Sequence, residues 1–368
     1  MFAPYTFARS QRTVRNRLVV AAMTNMQSHP DGQLHPRELN WLKRRAEGGF
    51  GIVTTCAAHV RVEGQGWPGE LGVFADRLLP GLTDLAGALS DAGALGLVQI
   101  FHGGMRSPES LTGQQPWSAT AFDPGRLNLE VPRPATEADI LDVIEAFAAA
   151  AARCEAAGFA GVELHGAHGY LLAQFLGRYA NTRTDEWGGK KLENRARLLL
   201  ETLKAVRARV SDQFIVGVRI SPEITDIGVE FHDSLQVAAW LAEGGADFVH
   251  ASLWDAWGRT RRYPNDTIPL TTRFRASLPP SCPLMIAGGI WTPQQAAEVQ
   301  KQGADFIAMA RVAIGHPDWP HRAQADPDYS PQRPPFTPEA LLEAGLSQVF
   351  VDYMRRWAGF VTDGKPAK

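Results

Sequence analysis

The sequence predicts an α/β fold, a closed (β/α)8 TIM barrel, and three observations carry that expectation. Short apolar runs lack the alternation of half-exposed strands, amphipathic stretches separate them, and glycine recurs just past the helix ends. In chain order the runs are Leu18–Ala22, Gly51–Thr55, Leu95–Ile100, Gly161–Leu164, Phe214–Ile220, Asp247–Ala251, Leu284–Ala287 and Asp305–Met309. Strands covered on both faces read this way because neither side meets water. Apolar residues at helical spacing fill His35–Glu47, Arg77–Asp91, Glu137–Ala157, Leu192–Val210, Asp233–Glu243 and Pro293–Lys301. Thr136 followed by Asp139 spells a capping box, and Pro293 after Thr292 suits a first helical position.

The helix-to-strand junctions repeat. Gly48-Gly49, Gly93, Gly158, Gly244-Gly245 and Gly303 each stand where a left-handed residue ends a helix and releases the next strand. Repeated strand–helix units of this kind favour closure into a barrel. The competing architecture is a doubly wound open sheet, but no Gly-x-Gly-x-x-Gly follows the first strand. Gly103–Pro134, rich in Ser, Pro, Gly and Gln, is expected as a functional excursion after the third strand. Proline-rich Asp326–Pro338 precedes a last helix expected over Pro338–Trp357, and no linker divides residues 1–368 into separate domains.

Composition narrows the partners. A net charge of -2 gives no reason to expect nucleic acid or an anionic membrane, and the clusters Arg259–Arg262 and Arg355-Arg356 are too short to change that. Cys56, Cys154 and Cys282 are scattered and form no CxxC, so neither a disulfide framework nor a metal site is signalled. Met1–Arg17 lacks the apolar core of a signal peptide, and no apolar run approaches the roughly 20 residues that span a bilayer. A soluble, cytoplasmic protein is expected.

In this architecture chemistry gathers at the carboxyl ends of the strands, where the loops are. That rim collects Met23 and Thr24, Cys56 and Ala57, Gln99 and His102, His165, His168 and Tyr170, Arg219, His250 and Ser252, Gly288 and Gly289, and Ala310 and Arg311. Gly288-Gly289 after the seventh strand and Ala310-Arg311 opening a short helix after the eighth form an expected phosphate site. His165 and His168 have three readings. They could be metal ligands without an obvious third partner, structural histidines, or paired donors to a carbonyl or nitro oxygen with Tyr170 as proton donor. Arg219 inside an apolar strand calls for a partner, either an acid such as Glu163 or an anionic ligand. Gln99 in its own apolar strand offers a donor and an acceptor that suit a pyrimidine-like edge.

Several motifs resemble the Old Yellow Enzyme family in order and spacing. They are Asn16-Arg17-Leu18 leading to Met23-Thr24, Gln99-Ile100-Phe101-His102-Gly103-Gly104, and His165 through Tyr170. Asn181-x-Arg183-x-Asp185-x-x-Gly188-Gly189, Glu193-Asn194-Arg195, Val218-Arg219-Ile220-Ser221 and Ala287-Gly288-Gly289 complete the set. The resemblance runs from about Pro4 to Trp319 and implies non-covalent FMN, NADH or NADPH as hydride donor, and an activated alkene as substrate. By that resemblance Ala21, Ala22, Met23, Thr24, Cys56 and Ala57 face the isoalloxazine, while Gln99 and Arg219 bond its pyrimidine side. Gly288, Gly289, Ala310 and Arg311 hold the phosphate. His165 and His168 hold the substrate oxygen, and Tyr170 protonates the α-carbon. Ala22 and Ala310 depart from the family's usual proline and glycine, which implies local backbone change only. Homo-oligomers are a further expectation. The rival readings are a barrel lyase or isomerase acting on a phosphorylated substrate, and a flavin-binding module without turnover.

Overall fold

The computed structural model describes residues 1–123, 125 and 129–362, and parallel strands close into a barrel at its centre. The strands are β1 (Leu18–Val20), β2 (Ile52–His59), β3 (Leu95–Phe101), β4 (Gly161–Gly166), β5 (Ile215–Ile220), β6 (Phe248–Ser252), β7 (Leu284–Ala287) and β8 (Phe306–Met309). Each pairs with the next, and β8 returns to β1. A helix follows each strand: α1 (Pro36–Glu47), α2 (Leu79–Asp91), α3 (Glu137–Ala156), α4 (Leu192–Arg209), α5 (Phe231–Glu243), α6 (Leu270–Ser277), α7 (Pro293–Lys301) and α8 (Arg311–Gly315). The junction glycines Gly49, Gly93, Gly158, Gly245 and Gly303 all take positive φ, between 73° and 109°.

Several boundaries differ from the sequence reading. β2 continues to His59 because a register shift between Thr54 and Ala57 lets it keep pairing with β3. α6 escaped notice because its buried face is only Leu270, Thr271 and Phe274, too thin to register as periodicity. The expected last helix is two, Pro338–Glu343 and Gln348–Met354, broken at Gly345 with φ 89°. The excursion after β3 carries a short helix, Glu109–Thr112, and a two-stranded flap of Trp117–Ser118 with Arg133–Pro134. Pro124 and residues 126–128 of that excursion lie outside the described residues.

The barrel interior is apolar at its amino-terminal end. Val19, Ile52, Leu97, Ile215, Phe248, Met285 and Phe306 pack there with Phe7 and Val14 of a hairpin, Tyr5–Thr6 with Thr13–Val14, that plugs the bottom. Phe7 stacks on Phe306 with ring centroids 5.5 Å apart and planes 5° apart. Burying one such aromatic ring stabilises the fold by about 2–3 kcal/mol. The larger apolar layer, Cys154 among it, lies between strands and helices. Arg45, wholly buried on α1, sits over Trp41 and donates to the carbonyls of Ala313 and Ile314, joining α1 to α8. No described helix is long and apolar enough to cross a membrane.

α3 begins at the expected capping box, where Asp139 N–H donates to Thr136 Oγ1 and Thr136 N–H donates back to Asp139. Arg133 adds a two-pronged contact to the same carboxylate at 2.7 and 2.8 Å. Arg133 first, then Thr136, hold Asp139 well below the usual carboxylate range. This contribution is therefore complete above the unfolded carboxyl pKa of about 4 and fades as pH falls from there toward the depressed folded value. Asp139→Asn is expected to cost about 1 kcal/mol near neutrality. In urea denaturation the gap from the parent protein should narrow steadily once the pH is taken below about 4.

Candidate active site

The barrel changes character at its carboxyl end. Gln99 on β3, Glu163 on β4, Arg219 on β5 and His250 on β6 all point into an interior that is otherwise apolar, and all are buried. Gln99 pairs with Glu163 across neighbouring strands, and Arg219 with His250. Gln99 Nε2 donates to Glu163 Oε1 at 2.6 Å, and His250 Nδ1 lies 2.7 Å from Glu163 Oε2. Burial works to raise the Glu163 carboxyl, but His250, Arg219 and Gln99 outweigh it and hold it below its ordinary value. Burial also keeps His250 below its ordinary value, against the pull of Glu163. The assignment that follows is a neutral imidazole donating from Nδ1 to a carboxylate.

Arg219 is lowered by burial, with Glu163 the main influence opposing that. A direct ion pair between them, one of the two readings of Arg219, does not form. Arg219 instead donates to Ala22 O at 3.3 Å and Ser252 Oγ at 3.0 Å, while Glu163 is taken by Gln99 and His250. Its Nε remains buried without a partner. Such a guanidinium has donors to spare for a ligand's carbonyl or ring nitrogen.

Above this floor stand the residues of the β4 turn. His165 and His168 lie with ring centroids 4.9 Å apart and planes at 85°, and Tyr170 meets the His165 ring edge-on at 4.9 Å. His165 Nδ1 accepts the Ala167 N–H at 3.3 Å, so its ring proton belongs on Nε2. Burial, then His168 and Arg219, keep His165 neutral, well below its usual range. His168 faces the open mouth, yet surrounding protein first, then the charges of Arg219 and Arg106, keep it neutral as well. Burial raises the Tyr170 phenol, and Arg106 opposes that most strongly. The Arg106 guanidinium lies 5.1 Å from the Tyr170 ring centre and donates to His168 O at 3.1 Å.

Of the other expected residues, Ala21 and Ala22 are buried, and Met23 and Thr24 half-buried, beyond β1. The Cys56 thiol lies in the apolar layer beside Glu38 and is raised well above its usual value by burial, so it is not the thiol that would meet a ligand. A side chain at Gly288 would come within 2.6 Å of Ala256 N, so this glycine admits the protein's own 255–256 backbone rather than a ligand alone. Gly289 has φ 67° and lies beneath the Arg311 guanidinium. Arg311 is exposed, and among the described residues no carboxylate lies within 4 Å of it. Within the tryptophan-bearing loop after β6, Trp257 packs on the core and Trp254 is 77% exposed.

Residues missed in the sequence also shape the mouth. Trp67 stacks on Phe101, whose ring is 5.0 Å from Tyr170. Buried Gln174 donates to the carbonyls of Gly103 and Gly169 and accepts from Met105 N–H and Ser118 Oγ, binding the turns after β3 and β4 together. Neither carries a local signal, since Trp67 comes from the loop after β2 and Gln174 from a short helix, Leu171–Leu176, after β4. His102 is no part of it: buried against Trp117, it is pushed by burial to about 3. No group of His, Cys, Asp and Glu among the described residues could hold a metal, which leaves the metal reading of His165 and His168 without support.

Glu163 and Arg219 offset each other's charge inside the barrel, so removing either leaves the other exposed to the full cost of burial. Glu163→Gln and Arg219→Met should each destabilise by about 3 kcal/mol. The double variant should lose clearly less than their sum, as read from urea denaturation midpoints.

A family model described as NADH:flavin oxidoreductase / NADH oxidase family matches residues 1–328. The Bacillus subtilis protein named probable NADH-dependent flavin oxidoreductase YqiG is 34% identical over 325 residues, covering 87% of this chain and 86% of that one. NADH:acrylate oxidoreductase of Vibrio harveyi is 34% identical over 322 residues, which are 85% of this chain but 32% of that longer protein. The solved structure of the old yellow enzyme homologue from Zymomonas mobilis has a TM-score of 0.79 at 26% identity, covering 96% of this chain and 98% of that one. The barrel, the residues at its mouth and these matches together place this chain in the NADH:flavin oxidoreductase family of Old Yellow Enzyme, whose cofactor is FMN and whose members use NADH or NADPH.

Proposed function

We propose that this chain, acting as one FMN-binding domain, reduces activated C=C bonds of enones, enals and nitroalkenes at the expense of NADH or NADPH. The observation that carries the reading is the convergence of neutral His165 and His168 with Tyr170 directly above a buried arginine that has donors left over. A relative named for acrylate, a C=C compound, is consistent with it. FMN, when bound, supplies the hydride relay from nicotinamide to the β-carbon of the alkene.

The residues fit that cofactor. Because Gln99 Nε2 is committed to Glu163, its amide oxygen is left to accept from a pyrimidine N–H. The spare Arg219 donors suit the adjacent carbonyl, where a positive charge favours the reduced, anionic ring. Ala21–Thr24 and the Cys56–Ala57 backbone border the ring space, and Gly288, Gly289, Ala310 and Arg311 take the phosphate at the β7 and β8 ends. For the phosphate the unpaired Arg311 matters more than its helix, which has only 5 residues.

His165 and His168 then hold the carbonyl or nitro oxygen through N–H groups, drawing electron density from the double bond. As neutral rings they donate without needing acid conditions. Tyr170 gives its proton to the α-carbon. Burial keeps that phenol protonated at neutral pH, and the guanidinium of Arg106 over its ring stabilises the charge left behind.

In stopped-flow experiments without oxygen, NADH or NADPH should bleach the flavin band and 2-cyclohexenone should restore it. A colourless protein that takes up no FMN would move the lyase reading to the front, and bleaching without recovery would favour the module without turnover. Tyr170→Phe should slow recovery by about 100-fold or more while sparing the bleaching step. An unchanged recovery rate would remove Tyr170 from its role. Since both histidines are lowered and Tyr170 is raised, the recovery rate should be flat between about pH 6 and pH 9 and fall only above it, as the phenol ionises.

A further inference from the structure

Ser252, the last residue of β6, touches both the buried floor and the substrate-facing turn. Its Oγ accepts from Arg219 Nη2 at 3.0 Å and lies 2.7 Å from His168 Nε2. The backbone brings these groups together. β5 and β6 run side by side with His250 opposite Arg219, which carries Ser252 to the rim just beyond. His168 arrives from β4 in the left-handed conformation, φ 59°. Its N–H donates to Ser221 Oγ and its carbonyl accepts from Arg106, each at 3.1 Å. With the backbone held on both sides, the orientation of the ring depends on what meets Nε2.

A serine hydroxyl has one proton and two lone pairs, and a guanidinium can only donate. Arg219 therefore uses a lone pair and leaves the Ser252 proton for an acceptor. Among the described residues, His168 Nε2 is the acceptor within hydrogen-bond reach of that oxygen. A neutral imidazole that accepts at Nε2 carries its own proton on Nδ1. His165 is set the other way, since its Nδ1 accepts from Ala167.

We propose that Ser252 is the positioning residue for His168, fixing the Nδ1–H tautomer so that the two histidines offer opposite ring nitrogens as donors to one substrate oxygen. Without Ser252, His168 is free to place its proton on Nε2 and turn a lone pair toward that oxygen. The identity of the oxygen rests on the ene-reductase reading above; the tautomer itself does not.

The test uses the FMN-loaded protein labelled with 15N-histidine, with His168→Asn identifying the His168 signals. Two-bond 1H–15N spectra should show a protonated Nδ1 and a bare Nε2 for His168. Ser252→Ala should lose that pattern, and Ser252→Thr, which keeps the hydroxyl, should retain it. In parallel, kcat/KM for 2-cyclohexenone should drop about tenfold in Ser252→Ala, the loss of one hydrogen bond, and recover in Ser252→Thr. A protonated Nε2 in the parent protein, or an unchanged tautomer in Ser252→Ala, would overturn the proposal. A protein with the predicted tautomers but no turnover of any enone would instead count against the ene-reductase reading.

Discussion

Arg219 carries a positive charge into the interior of the barrel, and the carboxyl end of the molecule is organised by the need to offset it. An unpaired buried cation is too costly to persist, so a negative group must share the space. Glu163 on the adjoining strand is that group, and its own burial demands further partners, which His250 and Gln99 supply. The remaining guanidinium donors draw in Ala22 O and Ser252 Oγ. One charge thus ties together the ends of β1, β3, β4, β5 and β6. It also orients the amide of Gln99 and leaves the Arg219 Nε without a protein partner.

The two ends of the barrel consequently do different work. The amino end is filled by rings and aliphatic chains, with Phe7 plugging it from outside the sheet. The carboxyl end holds neutral donors beside fixed cations. Burial, aided by those cations, keeps His165 and His168 unprotonated, and burial against the pull of Arg106 leaves a tyrosine as the available acid. The same cations add to the suppression of imidazolium formation and, in the proposed reaction, would favour negative charge on a substrate oxygen or a reduced flavin.

Much of the fold was legible because a doubly covered parallel strand and a glycine-terminated helix leave plain local marks. What escaped was marked weakly. α6 buries only three side chains, Leu270, Thr271 and Phe274, and the bulge that extends β2 depends on its pairing with β3. The break at Gly345 was readable in principle, since glycine past a helical pattern is a stop signal. For the candidate site, the polar residues stranded in apolar runs, Gln99 and Arg219, were visible as anomalies. Glu163 was a candidate partner for Arg219, but its bonds to His250 and Gln99 were not legible, because they form only once the ring of strands is closed.

The sequence by itself determined where the barrel strands and most of the helices lie, and that His165, His168 and Tyr170 share one turn, because these depend on spacing and burial pattern along the chain. Tertiary structure alone decided that Glu163 compensates Arg219 without touching it, that Gly288 makes room for the chain's own loop, and that Ser252 meets both Arg219 and His168. Those outcomes turn on angles and distances between segments far apart in the chain. Hydrogen bonds and charges in a buried space respond to such geometry over fractions of an ångström, a scale that residue order does not encode.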